Sequence, residues 1–177
     1  TAIAHLKSMS PYSQSQHYET EKLSKERPDA YEVRTWRDRM HANDLGYILI
    51  PPMAFKNCLS EIAKYLSEQI PGKGKTTFTK HFEAGILVLE NLVLPIKKAD
   101  VPGEWRWVPP DGKRGGGKQV RKCIPLSEEG AGKVTFHILD DTGTREVFEK
   151  HLEQAGKFIG IGRFRPRNNG YYGRFRV

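Results

Sequence analysis

Two amphipathic helical segments, each next to a stretch of alternating side chains, constrain the fold most. Between residues 53 and 70, Phe55, Leu59, Ile62, Ala63 and Leu66 recur three and four positions apart and line one helical face. Pro51 and Pro52 suit the start of this helix, and Pro71 with Gly72 ends it. A second helix is expected from the capping residue Thr144 to about Ala155, with Val147, Phe148 and Leu152 facing inward and Gly156 as its end. Residues 2–8 set Ile3, His5 and Lys7 against Ala4 and Leu6, and residues 133–139 alternate likewise, so both read as strands with one buried face. Residues 47–50, 119–125, 158–161 and 174–177 read as short strands, and residues 82–96 as buried strand. Residues 30–41 fit either a strand or a helix. Two strand–helix–strand halves make an α+β chain on the ferredoxin-like plan, an antiparallel sheet with two helices. Many RNA-recognition sheets share that plan. Nothing resembles a linker between two cores, so residues 1–177 are read as one domain.

Residues 157–177 read KFIGIGRFRPRNNGYYGRFRV. Six basic residues stand here without an acid, among four glycines and the aromatics Phe164, Tyr171, Tyr172 and Phe175. Glycine lets a backbone approach phosphate closely, arginine neutralises it, and aromatics stack on bases. Arg163, Arg165, Arg167, Tyr171 and Arg174 are therefore candidate nucleic-acid contacts. The net charge of +8 favours polyanions in general. A basic insertion at about residues 97–122 adds Trp105, Lys113, Arg114 and Lys118, and reads as a mobile flap. The connector at residues 72–80 adds Lys73 and Lys75. Ser10, Tyr12, Ser13 and Gln14 follow the first strand, where polar groups can bond phosphates or sugars without reading sequence.

Other chemistries find little support. Gly72-Lys73-Gly74-Lys75-Thr76 hints at a phosphate loop, but Gln69 stands where that motif needs glycine, and a helix rather than a strand precedes it. Gly160-Ile161-Gly162 lacks the third glycine of a dinucleotide site. The six histidines are scattered without metal-ligand spacing, and no cofactor or metal is expected. His17 and His41 are the candidates for a general base in a ribonuclease. Cys58 and Cys123 read as reduced thiols in cytoplasm. No stretch is long and apolar enough to cross a bilayer, so no membrane is expected, and the start does not read as a secretory signal.

Two segments resemble a known family. Tyr47-Ile48-Leu49-Ile50-Pro51-Pro52-Met53-Ala54-Phe55-Lys56 is similar to the signature of the RAMP superfamily of CRISPR proteins, in which a strand, a proline and a small residue lead to a lysine at a helix start. It lacks that signature's two glycines. Residues 160–166 with 170–175 resemble the family's closing glycine-rich loop. The group it most resembles is the repeated backbone subunit of multi-subunit CRISPR effector complexes. The resemblance implies a modified RNA-recognition fold with thumb and flap insertions, holding a guide RNA (crRNA) by its backbone. Lys56 and the loop from Arg163 to Arg176 would hold guide phosphates, Ser8 to Ser15 would face the guide, and the segments at 72–80 or 105–122 would supply thumb or flap. The implied partners are guide RNA, complementary target DNA or RNA, further copies of the chain in a filament, and other effector subunits. The implied setting is antiviral defense in the cytoplasm of a prokaryotic cell, with the chain encoded by the cell, a virus or a plasmid. Asp29 matches the family's cleaving aspartate poorly, so no catalysis is expected. Two alternatives stand beside this reading: a phage or bacterial single-stranded DNA-binding or annealing protein on the same fold, and a guide-processing ribonuclease.

Overall fold

A computed structural model describes residues 1–110, 117–128 and 130–177. Among them, strands β1 (Ala2–Ser8), β3 (Ile86–Leu87), β7 (Ala131–Ile138) and β8 (Phe175–Arg176) form an antiparallel sheet in the order β3-β7-β1-β8. Helix α2 (Pro52–Leu66) lies between β1 and β3 in the chain, and α4 (Arg145–Gln154) between β7 and β8. Strand, helix, two strands, helix, strand, with the first strand beside the third and the last, is the ferredoxin-like arrangement expected from the pattern. The register sets Ala2 opposite Phe136 and Lys7 opposite Ala131. Ala4, Leu6, Val134 and Phe136 thus share one face, buried under Phe55, Leu59 and Ile62 of α2 and Phe148 and Leu152 of α4. Each of these side chains except that of Ala4 stabilises the fold by about 1.5–3 kcal/mol through the apolar area it removes from water.

Two insertions enlarge this frame. Before α2 come α1 (Pro28–Thr35), a 3₁₀ turn (Trp36–Arg39) and β2 (Tyr47–Ile50), which resolves residues 30–41 as helical. Residues 82–96 do not make one strand. They divide into the end of α3 (Thr79–Ala84), β3, and β4 (Leu92–Lys97), which pairs with β2. The second insertion is a hairpin of β5 (Gly103–Val108) and β6 (Val120–Pro125), paired in continuous register from Gly103 opposite Pro125 to Val108 opposite Val120.

The second helix ends differently from expectation. Thr144 caps it as read, its Oγ1 accepting from the Val147 N–H. The chain then passes Gly156 in a π turn (Ala155–Ile159) that ends at Gly160, so residues 158–161 are not a strand. Gly156 serves close packing instead: a Cβ there would stand 2.1 Å from the Phe175 carbonyl oxygen.

Candidate nucleic-acid interface

The closing loop folds back on the segment that follows β1. The Arg163 N–H donates to the Ser13 carbonyl at 2.7 Å, the Gly173 N–H to the Pro11 carbonyl at 2.8 Å, and the Arg174 N–H to Ser10 Oγ at 2.9 Å. Gly162 has φ +79°, and a Cβ on it would meet the Ser13 carbonyl oxygen at 2.1 Å. The freedom of this glycine thus closes the loop upon its neighbour, where the sequence suggested an approach to phosphate.

Between these two segments opens a cleft of about 680 Å³. Gln14, Arg163, Phe164 and Arg165 line one part of it, and Val108 and Pro109 of the hairpin another. Met53, Ala54 and Asn57 bring in the start of α2. That helix begins without a capping side chain and without an acid in its first turn, which leaves its positive end toward the cleft. His41 stands at the rim, and burial pushes its imidazole below the usual range.

Two side chains that line the cleft lack the partners their chemistry calls for, and the buried Ser13 Oγ beside them is also without a hydrogen bond among the described residues. Gln14 is 4% exposed, and both its amide atoms are buried without a hydrogen bond among the described residues. A buried amide left unpaired costs about 1–3 kcal/mol, which an incoming donor and acceptor would recover. The Arg163 guanidinium lies 5.0 Å from the Phe164 ring and makes no ion pair among the described residues. Burial lowers its pKa, and the neighbouring charge of Arg39 adds to that. An anion placed beside Arg163 would relieve both effects.

Arg39 belongs to a buried network that fixes the floor below. Its Nη2 donates to Glu32 Oε2 at 2.6 Å and its Nη1 to Glu32 Oε1. The Cys123 N–H donates to Glu32 Oε1 at 3.0 Å, and Arg39 Nη1 donates to the Cys123 carbonyl at 3.2 Å. Burial would raise the Glu32 carboxyl, yet the Arg39 hydrogen bonds and charge hold it below its ordinary value. This network ties α1 and the 3₁₀ turn to β6.

The candidates from the sequence divide into groups. Tyr12, Gln14, Arg163 and Arg165 come together at the cleft. Tyr12 is nearly covered, and burial pushes its phenol up, so it serves as a wall. Ser10 and Ser13 are buried and join the loops from beneath. Arg165 donates to Glu61 at 2.6 Å and Arg167 lies 3.8 Å from the same carboxylate, so both already have an acid. Tyr171 is 64% exposed, with Arg174 at 5.9 Å from its ring and donating to its carbonyl. Lys56 does not line the cleft, and its charge helps lower the Glu83 carboxyl behind the larger effect of Lys64. Lys73 and Lys75 sit in an exposed turn past the far end of α2, about 20 Å along that helix. Trp105 stands on the hairpin face opposite Arg106, with Arg121 at 4.8 Å from its ring, and Lys118 is exposed. Arg106 itself reaches Tyr172 Oη at 2.5 Å. Lys113 and Arg114 lie outside the described residues.

The sequence reading noted Phe164 as one of the aromatics of the closing segment without ranking it as a contact, and it missed Asn57. Phe164 takes φ +50°, a conformation its identity does not suggest, and Asn57 carries no pattern beyond its place on a helix. Cys58 and Cys123 are buried and unpaired, in keeping with reduced thiols. Among the described residues no helix is long and apolar enough to cross a membrane, and no group of side chains is suited to hold a metal ion.

No protein-family profile matches the chain, and a search of characterised proteins gives no match. Among solved structures, the chain is similar to the crystal structure of Cmr6 from Pyrococcus furiosus, with 13% identity and a TM-score of 0.49 over 99% of this chain and 97% of that one.

Proposed function

We propose that the protein binds single-stranded RNA through the cleft between the β1 loop and the closing loop, as a non-catalytic guide-binding subunit of a CRISPR effector complex. One observation carries the binding reading: the half-buried Arg163 and the buried Gln14 amide line a single open cleft, the guanidinium without an ion pair and the amide without a hydrogen bond among the described residues. A cation and a polar amide at an uncapped helix start suit a phosphate and an adjacent sugar or base, with Phe164 as a stacking surface. The narrower guide-RNA reading rests on the likeness of residues 47–56 and of the closing loop to the RAMP signatures. In it, copies of the chain align along one guide with other effector subunits, and the complementary strand pairs with that guide.

His41 gives specific support to one alternative, a guide-processing ribonuclease. It lies at the cleft with a depressed pKa and is neutral near pH 7, as a general base must be. His17, the other candidate, is exposed beside Glu19 and does not line the cleft. The test is a filter-binding and cleavage assay on RNA and DNA of the same sequence. Arg163→Ala is expected to weaken binding of every RNA sequence about tenfold or more, with a shallower salt dependence. His41→Ala is expected to leave binding and RNA length unchanged. Affinity that ignores Arg163 overturns the cleft reading, and cleavage lost with His41 makes the protein a nuclease. Equal affinity for DNA favours the single-stranded DNA-binding alternative, because only the ribose hydroxyl separates the two strands.

A further inference from the structure

The helices cover one face of the four-stranded sheet and leave the other open. On that open face stand Lys7, Lys133 and Arg176, all exposed. Register brings them together: Lys7 is opposite Arg176 on β8 and Ala131 on β7, and Lys133 is two residues beyond Ala131. His5 faces Lys133 across the strands, and His137 continues the row toward β3. None of the three cations makes an ion pair among the described residues. No acid among the described residues of these four strands shares the face.

At its β8 end this face runs into a groove of about 520 Å³ lined by Lys7, Met9, Pro11, Glu128 and Tyr171. Among the described residues, Glu128 is the acid at its rim. Tyr171 offers an exposed ring there, edge-on to Tyr172 at 5.8 Å, and Tyr172 in turn is edge-on to Phe164 of the cleft at 6.5 Å. A chain of aromatics thus leads from the cleft to the sheet.

We propose that this open face is a second binding region for the same nucleic acid, which leaves the cleft past Tyr171 and lays its phosphates over Lys7, Arg176 and Lys133. The inference rests on the cleft reading and extends the footprint of that site. Cations on three adjacent strands, Lys7 directly across from Arg176 and diagonal to Lys133 at about 7–8 Å, favour a flexible polyanion over an apolar partner.

The test compares oligouridine of about five nucleotides with oligouridine of about twenty, the longer one exceeding a single small binding site. A Lys7→Ser, Lys133→Ser, Arg176→Ser variant is expected to bind the short oligomer as the parent does. Its affinity for the long oligomer should fall at least tenfold, and the slope of log affinity against log salt should drop by about 2, at about 0.7 for each phosphate no longer neutralised. A Lys7→Arg, Lys133→Arg variant keeps the charge and should bind the long oligomer normally, which separates charge from folding. Unchanged long-oligomer affinity and slope in the serine variant overturns the proposal, even where Arg163→Ala weakens both lengths. Long-oligomer binding that depends on the sheet cations but ignores Arg163 removes the cleft reading and retains the face.

Discussion

Arg39→Ala tests the buried network under the site. Arg39 and Glu32 are each 5% exposed and meet through two parallel hydrogen bonds. The substitution leaves the Glu32 carboxylate buried, with the Cys123 N–H as its remaining partner in this network. Stranding one member of such a pair costs about 3–5 kcal/mol. For a chain of this length each kcal/mol moves the melting temperature by about 2–4 °C, so a fall of about 12 °C is expected. The control is the double variant Glu32→Gln, Arg39→Met. It removes both charges, keeps an amide oxygen for the Cys123 N–H and roughly preserves volume, so it should melt well above Arg39→Ala. Thermal unfolding followed by circular dichroism measures both. The charged pair also adds an acid sensitivity. The Glu32 carboxyl is lowered in the folded state, so its contribution is complete above the unfolded value near 4.3 and is lost as pH falls below it. A fall of less than about 3 °C in Arg39→Ala, or losses that simply add in the double variant, would refute a desolvated, mutually dependent pair.

Gly162→Ala should lower RNA affinity at least tenfold while the core stays folded, since the new Cβ would push the closing loop off the Ser13 carbonyl at a positive φ. Unchanged affinity in a folded Gly162→Ala variant would remove that loop from the site. Burial holds His151 below its usual pKa, stacked 4.3 Å from Phe82 with Nε2 unpartnered among the described residues. The unfolded chain takes up that proton first, so stability should fall by up to about 1.4 kcal/mol per pH unit below about 6.5, until the folded imidazole titrates. His151→Leu should flatten that part of the stability–pH curve, and an unaltered curve would assign the acid sensitivity to other groups.

How far the sequence could be read follows from the range of the interactions involved. Helix α2 announced itself because Phe55, Leu59 and Ile62 repeat at the helical period, and β1 and β7 because their side chains alternate. Thr144 marked the start of α4 by a hydrogen bond only three residues long. Gly156 misled because glycine serves both helix ends and close packing, and the Phe175 carbonyl that selects the second use is nineteen residues away. Local pattern cannot weigh such a contact.

The same division holds at the site. Periodicity indicated an α+β chain, and composition gave it a net positive charge with arginines, glycines and aromatics gathered at residues 157–177. It ranked those arginines alike. Tertiary contact separates them: Arg165 and Arg167 share Glu61, more than a hundred residues earlier, while Arg163 lines the cleft with Gln14 and makes no ion pair among the described residues. Lys56 does not line the cleft, and the cations of the open sheet became neighbours only through strand pairing. The sequence by itself determined which elements form and which charges are available, because periodicity and capping act within a few residues. Which charges stay unpaired, and which of them face one cleft, depended on partners distant in the chain, and only the folded arrangement decided that.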